Sequence, residues 1–259
     1  LVDEDGYLPQ QSHINKPREH QLSCVMRSVL SQSLLVDASV GAGKTLIALS
    51  SLLMQKRLGL IKKAMIVVPN HLINNWISEI AKFYPSVMSK TLVGTEYLTS
   101  KKQREGFLAS IALGDWDLIL IARSTFGLIP CTEDYSTDFI QGYIDEVDQQ
   151  MALVDCDFTL RELEKVKHGL NNKLLSVMNR QSRDKTNFPF ESLGVGTICV
   201  DEIHEGGFKN LFYLSKMNNV GGMGQADGSQ AALDLFMKAR YLQNKQNGRG
   251  LMALSGTTI

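Results

Sequence analysis

No stretch of the 259-residue chain approaches the about 18 consecutive apolar residues that a membrane-spanning helix needs, and its opening residues do not read as a signal peptide. Cysteine is scarce. Cys24, Cys131, Cys156 and Cys199 are scattered without CxxC or Cys/His spacing, which argues against a zinc site or disulfide frame and for free thiols in a reducing compartment. Net charge is absent too: 27 basic and 27 acidic residues cancel, so bulk charge makes no case for nucleic-acid binding, although a local basic surface stays open. What is present is an ordinary globular balance, 44% apolar and 21% charged, enough to build a core.

Residues 1–17 are polar, contain Pro9 and Pro17, and read as an N-terminal arm ahead of the domain at 18–259. Apolar residues recur at helical spacing from Arg18 to Gln32, and Leu34-Leu35-Val36 reads as a short buried strand. A glycine-rich turn leads into a helix lined by Leu46, Ile47, Leu49, Leu52 and Leu53. Further strands are expected at Ala64–Val68, Leu92-Val93, Leu118–Ala122, Thr197–Val200 and Leu251–Leu254. Helices are expected between them at Leu72–Phe83 (stripe Leu72, Trp76, Ile80, Phe83), Lys101–Leu113 and Ala231–Leu242. Strands alternating with helices of this length predict a mostly parallel sheet covered on both faces. The alternation breaks at 131–190, where an acidic stretch from Glu133 to Asp157 precedes a basic helical one, the pattern of an inserted hairpin. Its opposed charges could pair with each other, or Lys165, Lys167, Lys173, Arg180 and Arg183 could face a polyanion. Residues 206–230, rich in glycine and asparagine, read as a mobile loop.

Ala38-Ser39-Val40-Gly41-Ala42-Gly43-Lys44-Thr45 follows a strand and opens a helix, the context in which AxxGxGK[ST] makes a phosphate loop. Gly41, Ala42 and Gly43 let backbone N–H groups converge on phosphate, with the helix N-terminus adding favourable potential. Lys44 is expected to reach the β- and γ-phosphates of ATP, and the Thr45 hydroxyl to bind Mg²⁺. Such a loop needs a carboxylate on a neighbouring strand. Val200-Asp201-Glu202-Ile203-His204 supplies two, Asp201 near the metal and Glu202 as general base on the attacking water. His204 either couples this site to the last strand or packs there. Ser255-Gly256-Thr257 ends that strand with hydroxyl groups able to sense the acidic loop, although Ser-Gly-Thr is also ordinary turn chemistry.

Taken in order, these motifs resemble the first RecA-like domain of superfamily-two helicases and translocases, above all the DEAH-type and Swi/Snf-like branches. The resemblance implies an α/β, RecA-like P-loop NTPase domain with a parallel central sheet and a helical insertion before motif II. It assigns adenine reading to Gln21, motif I to Lys44 and Thr45, motif II to Asp201–His204 and motif III to Ser255-Gly256-Thr257. Pro69-Asn70-His71-Leu72 with Asn75-Trp76 is similar to motif Ia, and Arg123-Ser124-Thr125-Phe126 falls at a second loop that touches the nucleic-acid backbone. Asn70, His71, Ser124 and Thr125 are thereby candidate nucleic-acid contacts. Ile203 replaces the usual alanine, Gly206-Gly207 lengthen the following loop, and Thr258 stands where proline is common.

Runs such as "VVPNHLINNW" and "DEIHEGGFKNLF" also resemble the helicase part of large phage and mobile-element proteins that join it to an adenine-specific DNA methyltransferase, some of them virion-borne and antirestriction in role. The partners so implied are duplex DNA, a second RecA-like domain, a linked methyltransferase and phage capsid proteins, in host cytoplasm or virion. The chain opens on Leu1 and stops at Ile259, directly after an active loop, and is expected to be a segment of a longer polypeptide that supplies the arginines opposite the γ-phosphate. It is expected to bind ATP and Mg²⁺ and to hydrolyse slowly alone. Two other roles stay open: a catalytically silent scaffold or virion component, and the motor of a restriction system.

Overall fold

The computed structural model describes residues 2–94, 100–153, 157–181, 186–205, 208 and 229–256. Cys156, Arg183, Gly206-Gly207, Thr257, Thr258 and most of the 206–230 loop, for which the sequence raises expectations, lie outside the described residues, as do the side chains of Lys173 and Arg180. The elements run α1 (Glu19–Leu30), β1 (Leu34–Asp37), α2 (Lys44–Arg57), β2 (Lys63–Val68), α3 (Ile73–Phe83), β3 (Thr91–Gly94) and α4 (Lys101–Leu113). They continue with β4 (Leu118–Ala122), α5 (Arg123–Phe126), α6 (Glu133–Met151), α7 (Asp157–Gln181), β5 (Val195–Val200), α8 (Gln230–Lys245) and β6 (Leu251–Ser255).

All the strands pair in parallel, in the order β1-β6-β5-β2-β4-β3. Strand side chains alternate between faces. Ala64, Ile66 and Val68 of β2 therefore join one core with α2 and α3, through Leu49, Leu52, Trp76 and Ile80. Met65 and Val67 join the opposite core with α4, α5 and α8, through Ile111, Phe126 and Leu235. Burial on both faces accounts for the uninterrupted apolar runs of β2, β4 and β5.

The short run at Leu34–Val36 is a strand buried on one side only, with Val36 in the core and Leu34 packed against it. β1 pairs only with β6 among the described residues, and Leu35 is 53% exposed at this sheet edge. The arm is docked rather than loose. Leu8 is buried with Val25 and Met54, and Ser12 donates from N to Phe83 O at 2.7 Å and from Oγ to Lys82 O at 2.6 Å.

The inserted hairpin is present as α6 and α7, closed by its own small core of Ile140, Ile144 and Val147 against Leu163, Val166 and Leu170. Lys167 pairs with Asp148 at 2.6 Å across it, so at this position the opposed charges meet each other. Tyr135 Oη donates to Met237 O at 3.0 Å and ties α6 to α8. In turn α8 grips the end of α5: fully buried Lys238 pairs with Asp234 at 2.6 Å and donates to Phe126 O at 3.0 Å.

Candidate nucleotide site

β6 lies between β1 and β5, so the loops that follow all three strands converge at one edge of the sheet. In parallel α/β sheets that carboxyl edge is where ligands bind. The turn after β1 is held to β6 by Ala38 N–H donating to Ser255 O at 3.1 Å. Gly41 and Gly43 take φ of +86° and +83°, a region that side chains other than glycine rarely adopt. A Cβ at Gly43 would also collide with the Gln21 amide. The turn releases directly into α2, whose first residues are Lys44 and Thr45. Lys44 Nζ is folded back onto Ala38 O at 3.0 Å. Gln21 arrives from α1 and is engaged at both ends of its amide, accepting from Arg18 N at 2.9 Å and donating to Ala42 O at 3.0 Å.

Opposite, β5 ends on Asp201, which is buried, and burial raises its carboxyl pKa above the usual range despite a bond from Trp76. Asp201 Oδ1 accepts from Glu202 N at 3.0 Å, and Glu202 itself sits in the left-handed region with φ of +48°. His204 Nδ1 lies 3.1 Å from Ser255 Oγ and 3.4 Å from Glu202 Oε2, so the acid loop is joined to the end of β6. Gly256 completes the convergence. A Cβ there would stand 2.9 Å from Lys44 Nζ and 3.8 Å from Glu202 Oε1. Lys44, Glu202, His204, Ser255 and Gly256 thus meet at one place.

Two residues at this place were not singled out from sequence for the acid loop. Trp76, read as a core position of α3, is buried but also donates its indole N–H to Asp201 Oδ2 at 2.8 Å. A tryptophan buried beside a carboxylate needs such a partner, yet nothing in the spacing links positions 125 apart. Arg123, read with the outward loop, turns inward instead. Its Nη2 donates to Asp201 O at 3.0 Å and Glu202 O at 3.1 Å, and its guanidinium lies 4.9 Å from the Phe208 ring centroid. Desolvation lowers its pKa, partly offset by Glu205, Asp201 and Glu202.

The loops expected to touch nucleic acid are neighbours. Ser124 Oγ donates to Asn70 Oδ1 at 3.2 Å, and Asn70, His71 and Ser124 are all exposed. Thr125 is not available with them: at 4% exposure its hydroxyl is inside, because α5 turns that side onto the sheet.

The hard-oxygen set of Thr45 and Asp201, with a desolvated carboxylate, suits Mg²⁺. Among the described residues no cluster of three or more His, Cys, Asp or Glu could hold a metal ion. No helix among the described residues is long and apolar enough to cross a membrane.

Residues 29–259 match the family described as "Probable helicase domain". No curated protein matches the chain. Among solved structures it is similar to the "Sulfolobus solfataricus SWI2/SNF2 ATPase core in complex with dsDNA", at 13% identity and a TM-score of 0.44, over 94% of this chain and 32% of that one. The chain thus spans about a third of the length of that structure's chain.

Proposed function

The chain belongs to the probable helicase domain family, and from that premise we propose that it is the ATP-binding half of a DNA-dependent ATPase motor moving on duplex DNA. It is an α/β RecA-like P-loop NTPase-type domain with helical insertions around a parallel sheet. One observation carries the reading. The phosphate-loop lysine, the acid pair and the end of β6 converge at the carboxyl edge of three adjacent strands.

The backbone at Gly41, Ala42 and Gly43, with the start of α2, would receive the phosphates, and Gln21 would stand beside the base. Lys44 would leave the Ala38 carbonyl for the phosphate charge, exchanging a neutral acceptor for an anionic one. Thr45 and Asp201 would hold Mg²⁺, which when bound neutralises charge on the β- and γ-phosphate oxygens. Glu202 would take the proton of the attacking water, with His204 beside it passing the state of the acid loop to Ser255. Asn70, His71 and Ser124 would contact the DNA backbone without reading bases.

Arg249 is spent on Val29 O, Arg240 is set over Phe236 and Arg123 is held on the acid-loop carbonyls; the arginine on the γ-phosphate would come from a second RecA-like domain. Similarity of sequence texture extends the proposal to a phage-type polypeptide with a linked methyltransferase and an antirestriction role, tested by whether a methyltransferase or a nuclease adjoins this chain.

The central test is ATPase of the full-length protein with duplex DNA, single strands or RNA added. Duplex DNA should stimulate turnover most, and Lys44→Ala should abolish it. Unchanged turnover in Lys44→Ala would sink the assignment, and nucleotide binding without turnover under any condition would make the protein a scaffold.

A further inference from the structure

Glu202 stands in a backbone region that non-glycine residues adopt only at a cost and seldom without support from their surroundings. Support of that kind is present in Arg123. The carbonyls of Asp201 and Glu202 flank the Glu202 Cα, one before it and one after, and a single nitrogen, Arg123 Nη2, bridges both at 3.0 and 3.1 Å. A donor shared by the two carbonyls on either side of one Cα holds their oxygens close together and so restricts the pair of backbone torsions between them. Phe208 confines the guanidinium from another side, at 4.9 Å from its centroid. On the far side of the turn, Ile203 N–H donates to Leu254 O at 3.0 Å. The acid turn is thus stretched between β6 and Arg123.

We propose that Arg123 is a positioning residue that locks the Asp201–Glu202 turn in its left-handed form, aiming the Glu202 carboxylate, and that it ties this turn to the DNA-facing loops. The inference rests on the motor reading above and deepens it. Arg123 opens α5, and the next residue, Ser124, faces outward to bond Asn70 at 3.2 Å. One short helix therefore offers consecutive side chains to the two partners, one to the track and one to the hydrolytic acid. A displacement of α5 on DNA binding would move the bridge that restricts the torsions of Glu202. The planar guanidinium suits this work, since it reaches two acceptors while stacked on an aromatic face.

The test compares full-length wild type with Arg123→Gln and Arg123→Lys in three measurements: steady-state ATPase with and without duplex DNA, binding of a fluorescent ATP analogue with Mg²⁺, and hydrogen exchange of the Glu202 and Ile203 amides. Arg123→Gln should lower kcat by about tenfold or more while KM and analogue binding stay within about twofold. It should also speed exchange at both amides. Arg123→Lys should be intermediate in kcat, because an ammonium keeps the charge and the donors but not the planar face that lies on Phe208. Wild-type kcat in Arg123→Gln overturns the proposal even if exchange quickens, as does a loss of analogue binding that tracks the loss of kcat. If Arg123→Gln does not fold, Arg123→Lys decides: quicker exchange with a several-fold lower kcat supports the lock, and wild-type values of both overturn it. A wild-type protein without turnover overturns the motor reading itself, which separates the two failures.

Discussion

At the scale of single residues, the site holds a desolvated carboxylate whose neighbours, Trp76 and Lys44 among them, only partly offset the cost of its burial. Burial raises the pKa of Asp201, so at neutral pH its ionised form costs the fold stability. That contribution is most favourable below the ordinary carboxyl pKa and is lost as pH rises through the folded value. The indole of Trp76 opposes this by donating to the anion at 2.8 Å. Trp76→Phe keeps an aromatic ring in the core while deleting the donor and part of the buried indole volume. A bond to a charged group is worth about 1.5–3 kcal/mol, so the Mg²⁺ concentration giving half-maximal ATPase should rise by roughly tenfold or more. A Mg²⁺ titration of turnover measures it, and an unshifted midpoint would leave Trp76 a packing residue only. The acids themselves were legible because an apolar strand ending on Asp-Glu downstream of a phosphate loop is a local pattern. Their buttresses were not. Trp76 and Arg123 lie 125 and 78 residues from Asp201 in sequence, and only the sheet order brings them together.

At the scale of elements, helix positions followed from spacing where one face is buried, and went astray where exposure depends on neighbours. β1 has the composition of an interior strand but lies at an edge, and Thr125 has that of a surface loop but is turned inward by α5. The contact between α2 and the end of α3 gives an element-scale prediction. Tyr84 Oη lies 2.7 Å from Ser50 Oγ, and burial pushes the Tyr84 pKa up to about 12 from 10.0, with the Ser50 bond opposing. A phenol raised in the folded state adds stability in full below the unfolded value of 10.0 and loses it as pH climbs to about 12. Urea unfolding should therefore show wild type losing stability between these values more steeply than Tyr84→Phe. At pH 8 the variant should be weaker by roughly 1–3 kcal/mol, since Ser50 is left buried without its partner. Parallel alkaline limbs would contradict this.

At the scale of the whole molecule, the parallel order could be anticipated as a class but not as a sequence of neighbours. Alternating strands and helices imply a doubly covered parallel sheet, whereas the insertion of β6 between β1 and β5 is a long-range choice. That choice lets Ser255 accept the Ala38 N–H on its carbonyl and share a hydrogen bond between its hydroxyl and His204, joining three distant motifs. The docked opening segment carries a practical consequence for cutting the domain out. The family match begins at residue 29, but the fold does not. A polypeptide trimmed to 29–259 would lose Leu8 and Val25 from beside Met54, most of α1, and the Gln21 amide that holds the Ala42 carbonyl. Thermal melts should show that trimmed chain less stable than one starting at residue 2, and bound ATP should raise its midpoint less, because the phosphate loop would have lost its brace. A gene fragment for expression should therefore be drawn from the docked segment and not from the family boundary.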